Sequence, residues 1–513
     1  MDTPRPPRRR AAVLAASAGV LAGALALGVA EVLAALVAPT SAPVLAVGSA
    51  FIDLTPAWLK DLAIDLFGTN DKVALLAGIG VVITLLAAAA GVLSLRRRWL
   101  GSTLVVLLGV VAAVAATSRP DAGKLAVVPS LLGVAAGAVA LKAMVDRVGD
   151  GAARLGGGTD RRSFLAAAAA TGVLAALAGV GGRLLGRATR DVDASREAIM
   201  LPQADPPLPR ARDSVSADVE GMPPWQTPNP DFYRIDTALR VPRLATDDWR
   251  LRVHGMVERE VEIGFDDLLA GQMLEQWVTL ACVSNEVGGD LAGNARWLGC
   301  PLSELLERAG PLPGADMVLS TSDDGFTAST PLQSLTDDRG SMLAIGMNGE
   351  PLPLEHGFPV RMVVPGLYGY VSATKWVVDL EVTTFARQTA YWTDRGWDER
   401  GPIKIASRID VPRPFATRPP GMVAIGGTAW APRRGIDTVE VKVDDGAWQP
   451  AKLAAEADID AWRQWSFVWD ATPGRHAVTV RATDGDGQVQ TSDAAPPFPD
   501  GASGWHSIEV NVA

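Results

Sequence analysis

The chain is poor in the residue types that build most metal and redox centres. It has two cysteines, Cys282 and Cys300, and four histidines, His254, His356, His476 and His506. Two cysteines exclude an iron–sulfur cluster, a Cys-x-x-Cys-His haem attachment and a cysteine-rich zinc site. No histidine precedes position 254, so the apolar N-terminal part cannot clasp a haem between paired imidazoles. Excess positive charge is missing too. A formal net charge of −10 argues against a nucleic-acid partner, which calls for basic patches.

What is present falls into two populations. Residues 11–185 are rich in Ala, Leu, Val and Gly, whereas residues 190–513 carry the Trp, Pro and Asp of a soluble protein. A chain of 513 residues exceeds one core. Five apolar runs, at about 11–38, 73–95, 99–117, 125–145 and 164–182, reach or approach the roughly 20 residues that span a bilayer. Arg5, Arg8, Arg9 and Arg10 precede the first run. Arg96, Arg97 and Arg98 separate the second from the third, and Arg147, Arg154, Arg161 and Arg162 lie between the fourth and fifth. The other two loops carry Lys60 and Lys72, then Arg119 and Lys124. The positive-inside rule therefore puts the N-terminus in the cytoplasm, and an odd number of spans puts residues 190–513 outside a cell membrane. Membrane lipid is the first partner expected.

Three features of this half invite a functional reading beside a plain one. Residues 53–67, DLTPAWLKDLAIDLF, have helical apolar spacing and read as a helix lying in the outer interface or as a soluble loop helix. Glu31 inside the first run is either a proton or partner contact or a residue near the interface. Residues 159–172, TDRRSFLAAAAATG, resemble a twin-arginine export signal without its lysine; alternatively, Arg161 and Arg162 only fix orientation.

Both cysteines sit in residues 280–302, LACVSNEVGGDLAGNARWLGCPL. Cys282 ends an apolar strand-like run and opens a glycine-rich loop, a place from which a thiol can present a soft ligand to a cleft. On the residues alone, a buried core cysteine or a Cys282–Cys300 disulfide is the weightier reading. Two motifs change the weighting. Cys282-Val283-Ser284-Asn285, followed by Asn294-Ala295-Arg296-Trp297, resembles the molybdenum-cofactor segment of the sulfite oxidase family. Residues 356–377, HGFPVRMVVPGLYGYVSATKWV, resemble its second motif. The resemblance implies a molybdenum–molybdopterin cofactor, with Cys282 as the thiolate ligand and Asn285 lining the site beside it. By the same resemblance His356, Arg361 and Lys375 meet the cofactor, Gly366 and Gly369 allow close backbone approach, and Arg296 touches cofactor or substrate. Each has a plain alternative: a turn residue for His356, a surface charge for Arg361, a solvated strand residue for Lys375, an ion pair for Arg296.

The departures from that family concern the substrate. Where the family has a basic Arg-Asn-His segment, residues 232–242 read FYRIDTALRVP, with Arg234 and Asp236 but no histidine. Glu286 replaces an arginine, and Trp397 stands where an active-site tyrosine is expected. Each change removes positive charge or a hydroxyl from a pocket for a dianion.

The expected architecture is multi-domain: the residues give an all-α membrane bundle over 1–189, a linker over 190–229, an α+β domain over 230–400 and an all-β domain over 401–513. The resemblance implies that these last two are a molybdopterin domain and an immunoglobulin-like β-sandwich of the family's dimerisation type. The expected activity is two-electron oxygen-atom transfer to or from a small oxyanion or oxo-acceptor, with sulfite the first candidate. A separate electron carrier and a homodimer go with it. The alternatives are a reductase of sulfoxides or similar oxides, and a non-enzymatic membrane-tethered binding module.

Overall fold

The computed structural model describes residues 8–56, 59, 66–67, 71–118, 123, 125–153, 159–188 and 192–513. Most of the helix expected over 53–67 lies outside these residues, as do Arg5, Lys60, Arg119, Lys124 and Arg154. The chain forms two compact units, Met1–Asp191 with Ala238–Arg240, and Val192–Thr237 with Val241–Ala513.

The first unit holds five helices long and apolar enough to cross a membrane: Ala11–Val37, Lys72–Arg96, Trp99–Thr117, Val128–Val148 and Arg162–Leu184. Each falls on one of the expected runs. Their contacts are built from small residues. A Cβ on Gly19 would lie 2.0 Å from the Ala87 carbonyl oxygen, and one on Gly91 would lie 1.8 Å from that of Ala15. The backbones of the first two long helices therefore touch, a small-residue packing of the kind that membrane helices use. Ala18, Ala22, Ala90, Leu141, Met144 and Phe164 form the centre, while Val81, Leu85, Val110, Val111, Leu174 and Leu177 stay exposed.

In the second unit, the segment expected as a linker does more than connect. Val192 and Trp225 are buried in its cores. The α+β part carries two sheets. One has the order β2-β1-β10-β5-β6, from β1 (Arg250–Gly255), β2 (Val261–Gly264), β5 (Met317–Ser322), β6 (Thr327–Pro331) and β10 (Val377–Thr383). The other runs β3-β4-β7-β8, with β9 pairing β7; it contains β3 (Leu274–Ala281), β4 (Ala292–Pro301), β7 (Met342–Met347), β8 (Glu350–Pro351) and β9 (Arg361–Val363). Positive-φ turns stand where the sequence asks for them. Gly310 closes the helix Leu302–Ala309, and Asn348-Gly349 joins β7 to β8.

The C-terminal part is all β. One sheet, β11-β13-β17-β16, is built on β11 (Ala406–Val411), β13 (Gly421–Trp430), β16 (Lys452–Leu453) and β17 (Arg463–Ala471). The other, β12-β19-β18-β14-β15, is built on β12 (Thr417–Arg418), β14 (Ile436–Val443), β15 (Gln449–Pro450), β18 (Gly474–Asp484) and β19 (His506–Val512). Ile409, Ile425 and Trp465 of the first sheet share one core with Val439, Val480 and Val510 of the second. That shared core makes the domain a two-sheet sandwich. Trp430 and Trp462 instead join the core of the α+β part, so the two parts are packed as one unit.

Candidate functional site

β3 is the strand that matters. Its last five residues, Trp277 to Ala281, are all buried, and it pairs antiparallel with β4 from Leu274↔Gly299 to Ala281↔Ala292. Cys282 follows directly; its amide donates to the Leu291 carbonyl at 2.9 Å and closes the hairpin. Both thiols are free, so the Cys282–Cys300 disulfide is not formed. Cys300 donates to the Leu268 carbonyl at 3.0 Å and is a core residue.

Cys282 lines a cavity with about 920 Å³ of empty space, its open mouth included. Burial pushes its thiol pKa up, opposed by the Ser284 amide and hydroxyl directed at the sulfur. A metal ion would displace that proton and hold the sulfur as thiolate.

His356, Arg361, Gly369 and Lys375 line the same cavity, brought there from separate elements. Gly357 explains how three of them converge. Its φ is +107°, and a Cβ there would lie 2.9 Å from Arg361 Cβ and 3.1 Å from Lys375 Cβ. Only glycine lets this turn close on its neighbours. His356 is buried and its Nε2 meets the Asn229 carbonyl at 3.1 Å. Burial, and then the Arg361 charge, lower its pKa to about 4, so the ring is neutral at pH 7.

Arg361 is 5% exposed. Its guanidinium donates to the carbonyls of Met362, His356 and Ala373 at 3.4, 3.1 and 3.3 Å and lies 4.9 Å from the Trp297 ring centre. No carboxylate is among these partners, and burial lowers its pKa to about 10. A buried cation balanced only by carbonyls is suited to receive an anion from the cavity. Lys375 is different. Its ammonium donates to Asp236 at 2.7 Å and to the Glu355 carbonyl at 3.2 Å, and burial holds its pKa near about 8.

Three expected site residues are elsewhere. Asn285 uses its side-chain oxygen to accept from the Leu291 amide at 2.8 Å, bracing the loop rather than lining the cavity. Arg296 pairs with Glu275 at 3.2 Å, the plain alternative weighed for it. Gly366 has φ +87°, and a Cβ there would meet Arg433 at 2.7 Å. It serves the packing of the C-terminal sandwich against the α+β part.

Sequence reasoning missed Tyr233 and Asp236, which enter the cavity from the stretch before β1. Burial, with Cys282 nearby, holds the Tyr233 phenol far above its ordinary pKa. The signal was the Phe-Tyr pair inside an otherwise Pro- and Asp-rich segment. Trp397, which stands at the expected tyrosine position, proves to be part of an aromatic rim whose other members the sequence did not reveal. Trp397 contacts Trp392 at 6.3 Å, Tyr370 at 6.1 Å and Phe498 at 5.4 Å between ring centres. Trp392, Trp397 and Phe326 line the cavity and are half-buried, while Tyr370 lies deeper.

These residues fit a pterin that carries molybdenum: a free thiol on the cavity wall, a buried arginine without a carboxylate for an anionic tail, and aromatic walls for a flat ring.

The comparisons agree. A family model described as the oxidoreductase molybdopterin binding domain matches residues 238–392. The mitochondrial sulfite oxidase of Macaca fascicularis is 31% identical over 341 residues, 56% of this chain and 62% of that protein. The uncharacterized oxidoreductase YuiH of Bacillus subtilis (strain 168) is 33% identical over 153 residues, 30% of this chain and 74% of its own length. The crystal structure of the sulfane dehydrogenase SoxCD from Paracoccus pantotrophus superimposes with a TM-score of 0.51 at 25% identity, over 57% of this chain and 82% of that one. The chain thus spans about three fifths of the mammalian sulfite oxidases it matches, at 62% of the first of them.

Proposed function

The chain belongs to the family of sulfite oxidase-like molybdopterin oxidoreductases, and from that premise we propose that it catalyses two-electron oxygen-atom transfer at a molybdenum–pterin centre held by Cys282. The single observation that carries the proposal is the convergence of the free Cys282 thiol and the carboxylate-free Arg361 guanidinium on one cavity. When bound, the cofactor supplies the two-electron redox change and the oxygen exchange. The protein supplies the rest. Cys282 ligates the metal, Arg361 receives the cofactor's anionic tail, and neutral His356 holds its place through the Asn229 carbonyl. Lys375, pinned by Asp236, offers hydrogen-bond donors at the wall while that carboxylate balances its charge.

Sulfite oxidation, which converts sulfite and water to sulfate with release of two protons and two electrons, is the reading the relatives' names support. The electrons then pass to a separate carrier. A second reading has its own observation. The rim includes Trp392, Trp397 and Phe326, and among the described residues no cation beyond Arg361 and Lys375 lines the cavity. Such a mouth suits a neutral organic sulfoxide, reduced to the sulfide and water by two electrons and two protons.

The domain that follows is read as immunoglobulin-like on its two-sheet form and shared core, and as a homodimer contact only on its resemblance to the domain that follows the molybdenum domain in this family. The catalytic half is read as lying outside the membrane, on the arginine distribution of the first unit.

The test is elemental analysis of detergent-purified full-length protein. It should hold about one molybdenum per chain, with a sulfur-to-metal absorption band that Cys282→Ser abolishes along with turnover of sulfite or methyl phenyl sulfoxide. Metal-free protein from a host that makes the cofactor, or full activity in Cys282→Ser, overturns the proposal. The ratio of the two substrates' kcat/KM decides between the readings.

A further inference from the structure

The hairpin that carries Cys282 is held on both flanks by the C-terminal sandwich. On the strand side, β3 is an edge strand, and its outer edge is covered by the turn before β17. The Thr279 amide donates to the Asp460 carbonyl at 2.9 Å, and the Trp462 amide donates to Thr279 Oγ1 at 2.7 Å. That turn is itself fixed, because the Asp460 carboxylate accepts from the Arg433 amide at 2.8 Å and its guanidinium at 3.2 Å. On the loop side, Arg408 of β11 donates through Nη1 to the Gly289 carbonyl at 2.7 Å. The Arg408 head is aimed by Asp410, which accepts from its Nε at 2.7 Å and from Thr428 at 3.0 Å. Beside it, Gly288 at φ +80° lies on the His506 ring, so close that a Cβ would stand 2.2 Å from it.

These contacts reach the chain three residues before Cys282 and six or seven after it. They involve a strand edge and a loop that the α+β part does not itself complete. The loop's internal bonds, Asn285 to Cys282 and to Leu291, shape it but do not anchor it. We propose that the C-terminal sandwich sets the position of the Cys282 sulfur, with Arg408 as the positioning residue on the loop side. The domain is then part of the site's construction, beyond any role in dimerisation. This rests on Cys282 being the metal ligand, but the geometry of the clamp does not.

The chain offers its own control, since Cys300 is the one other thiol and sits in the core of the same unit. The experiment measures alkylation of each cysteine by iodoacetamide, followed by mass spectrometry, in cofactor-free full-length protein. Arg408→Met combined with Asp410→Asn removes the clamp without leaving a buried unpaired carboxylate; Arg408→Lys keeps a donor. The double variant should label Cys282 at least about tenfold faster, a loss of about 1.4 kcal/mol of local hold, while Cys300 keeps its rate. Arg408→Lys should stay near the parent. In loaded protein, the double variant should shift the sulfur-to-metal absorption band without changing KM. An unchanged Cys282 rate overturns the proposal, and so does a parallel rise at both thiols, which marks general loosening. Absence of molybdenum with selective labelling of Cys282 would remove the proposed function and leave the clamp standing.

Discussion

Replacing Arg361 with methionine separates a cofactor-holding cation from a structural one. The guanidinium is buried on three carbonyls. Its pKa falls from 12.5 to about 10 through burial; at about 1.4 kcal/mol per tenfold, the charged form carries a penalty of about 3 kcal/mol. Methionine removes that penalty and keeps much of the volume. It also strands the carbonyls of His356, Met362 and Ala373, at about 1 kcal/mol each. The two effects nearly cancel, so the cofactor-free protein should melt within about 3 °C of the parent. An arginine serving as half of a buried structural ion pair would cost about 3–5 kcal/mol instead. Cofactor retention should respond far more strongly. Losing two charge-assisted bonds, at about 1.5–3 kcal/mol each, lowers affinity about a hundredfold or more. The assays are tryptophan-fluorescence melting of cofactor-free protein and molybdenum per chain after exhaustive dialysis of loaded protein. Unchanged molybdenum content would refute the reasoning, as would a cofactor-free variant that melts about 10 °C lower.

Two further outcomes follow from the same site. His356 and His506 both have pKa values lowered to about 4 by burial. In the unfolded chain each binds its proton near pH 6.5, so each ring loses stability as pH falls from 6.5 toward 4, by up to about 3 kcal/mol. Asp458, raised to about 6 by burial, acts in the opposite sense, so the readout is the difference from the parent: urea midpoints of His356→Gln should fall less steeply across that window. A slope that persists unchanged would mean His356 is not buried neutral. Trp392→Ala removes one aromatic contact from the rim, about 0.5–1.5 kcal/mol. KM for methyl phenyl sulfoxide should therefore rise about three- to tenfold, with KM for sulfite unmoved. Equal changes for both substrates would count against the rim as a substrate-binding surface.

The parts of this protein that were legible in its sequence are those where one local cause decides the outcome. An apolar run long enough for a bilayer needs no partner to be recognised, and five such runs became five long helices. Asn348-Gly349 and the Gly after Ala309 announce their turns because few other residues tolerate positive φ. The strands of the sandwich follow from alternation between turn residues. Cys282, His356, Arg361 and Lys375 could be picked out because each belongs to a dense motif whose spacing resembles a family. The neighbours of those motifs were read less well. Asn285 sits three residues after the thiol, yet its side chain closes the loop. Arg296 faces Glu275 across the hairpin, because antiparallel pairing set that contact before any ligand could.

What stayed hidden depends on pairings between distant stretches. Tyr233 and Asp236 fall in the expected molybdopterin domain, but nothing local marks them as cavity residues until β1 and the Cys282 strand are both in place. Arg408 lies 126 residues after Cys282 in a strand that reads as ordinary sandwich, and nothing local to it suggests a carbonyl at Gly289. The same physics explains why the segment 192–229 reads as a linker although it belongs to the second compact unit. Its proline and aspartate content removes periodicity, while its contribution comes from single anchors. Trp225 and Trp462 exchange indole-to-carbonyl bonds at 3.1 and 2.8 Å, a reciprocal contact spanning 237 residues. Such a contact has no period to detect. It exists only once the sandwich has docked, and it sits beside the turn that covers the edge of β3. The proposed metal ligand is therefore written in one short motif, whereas the geometry around it is distributed over a segment before β1 and a sandwich after the α+β part. The family model matches residues 238–392, a range that encloses the thiol, whereas Arg408 and Asp460, which hold its hairpin from the sandwich side, lie beyond it.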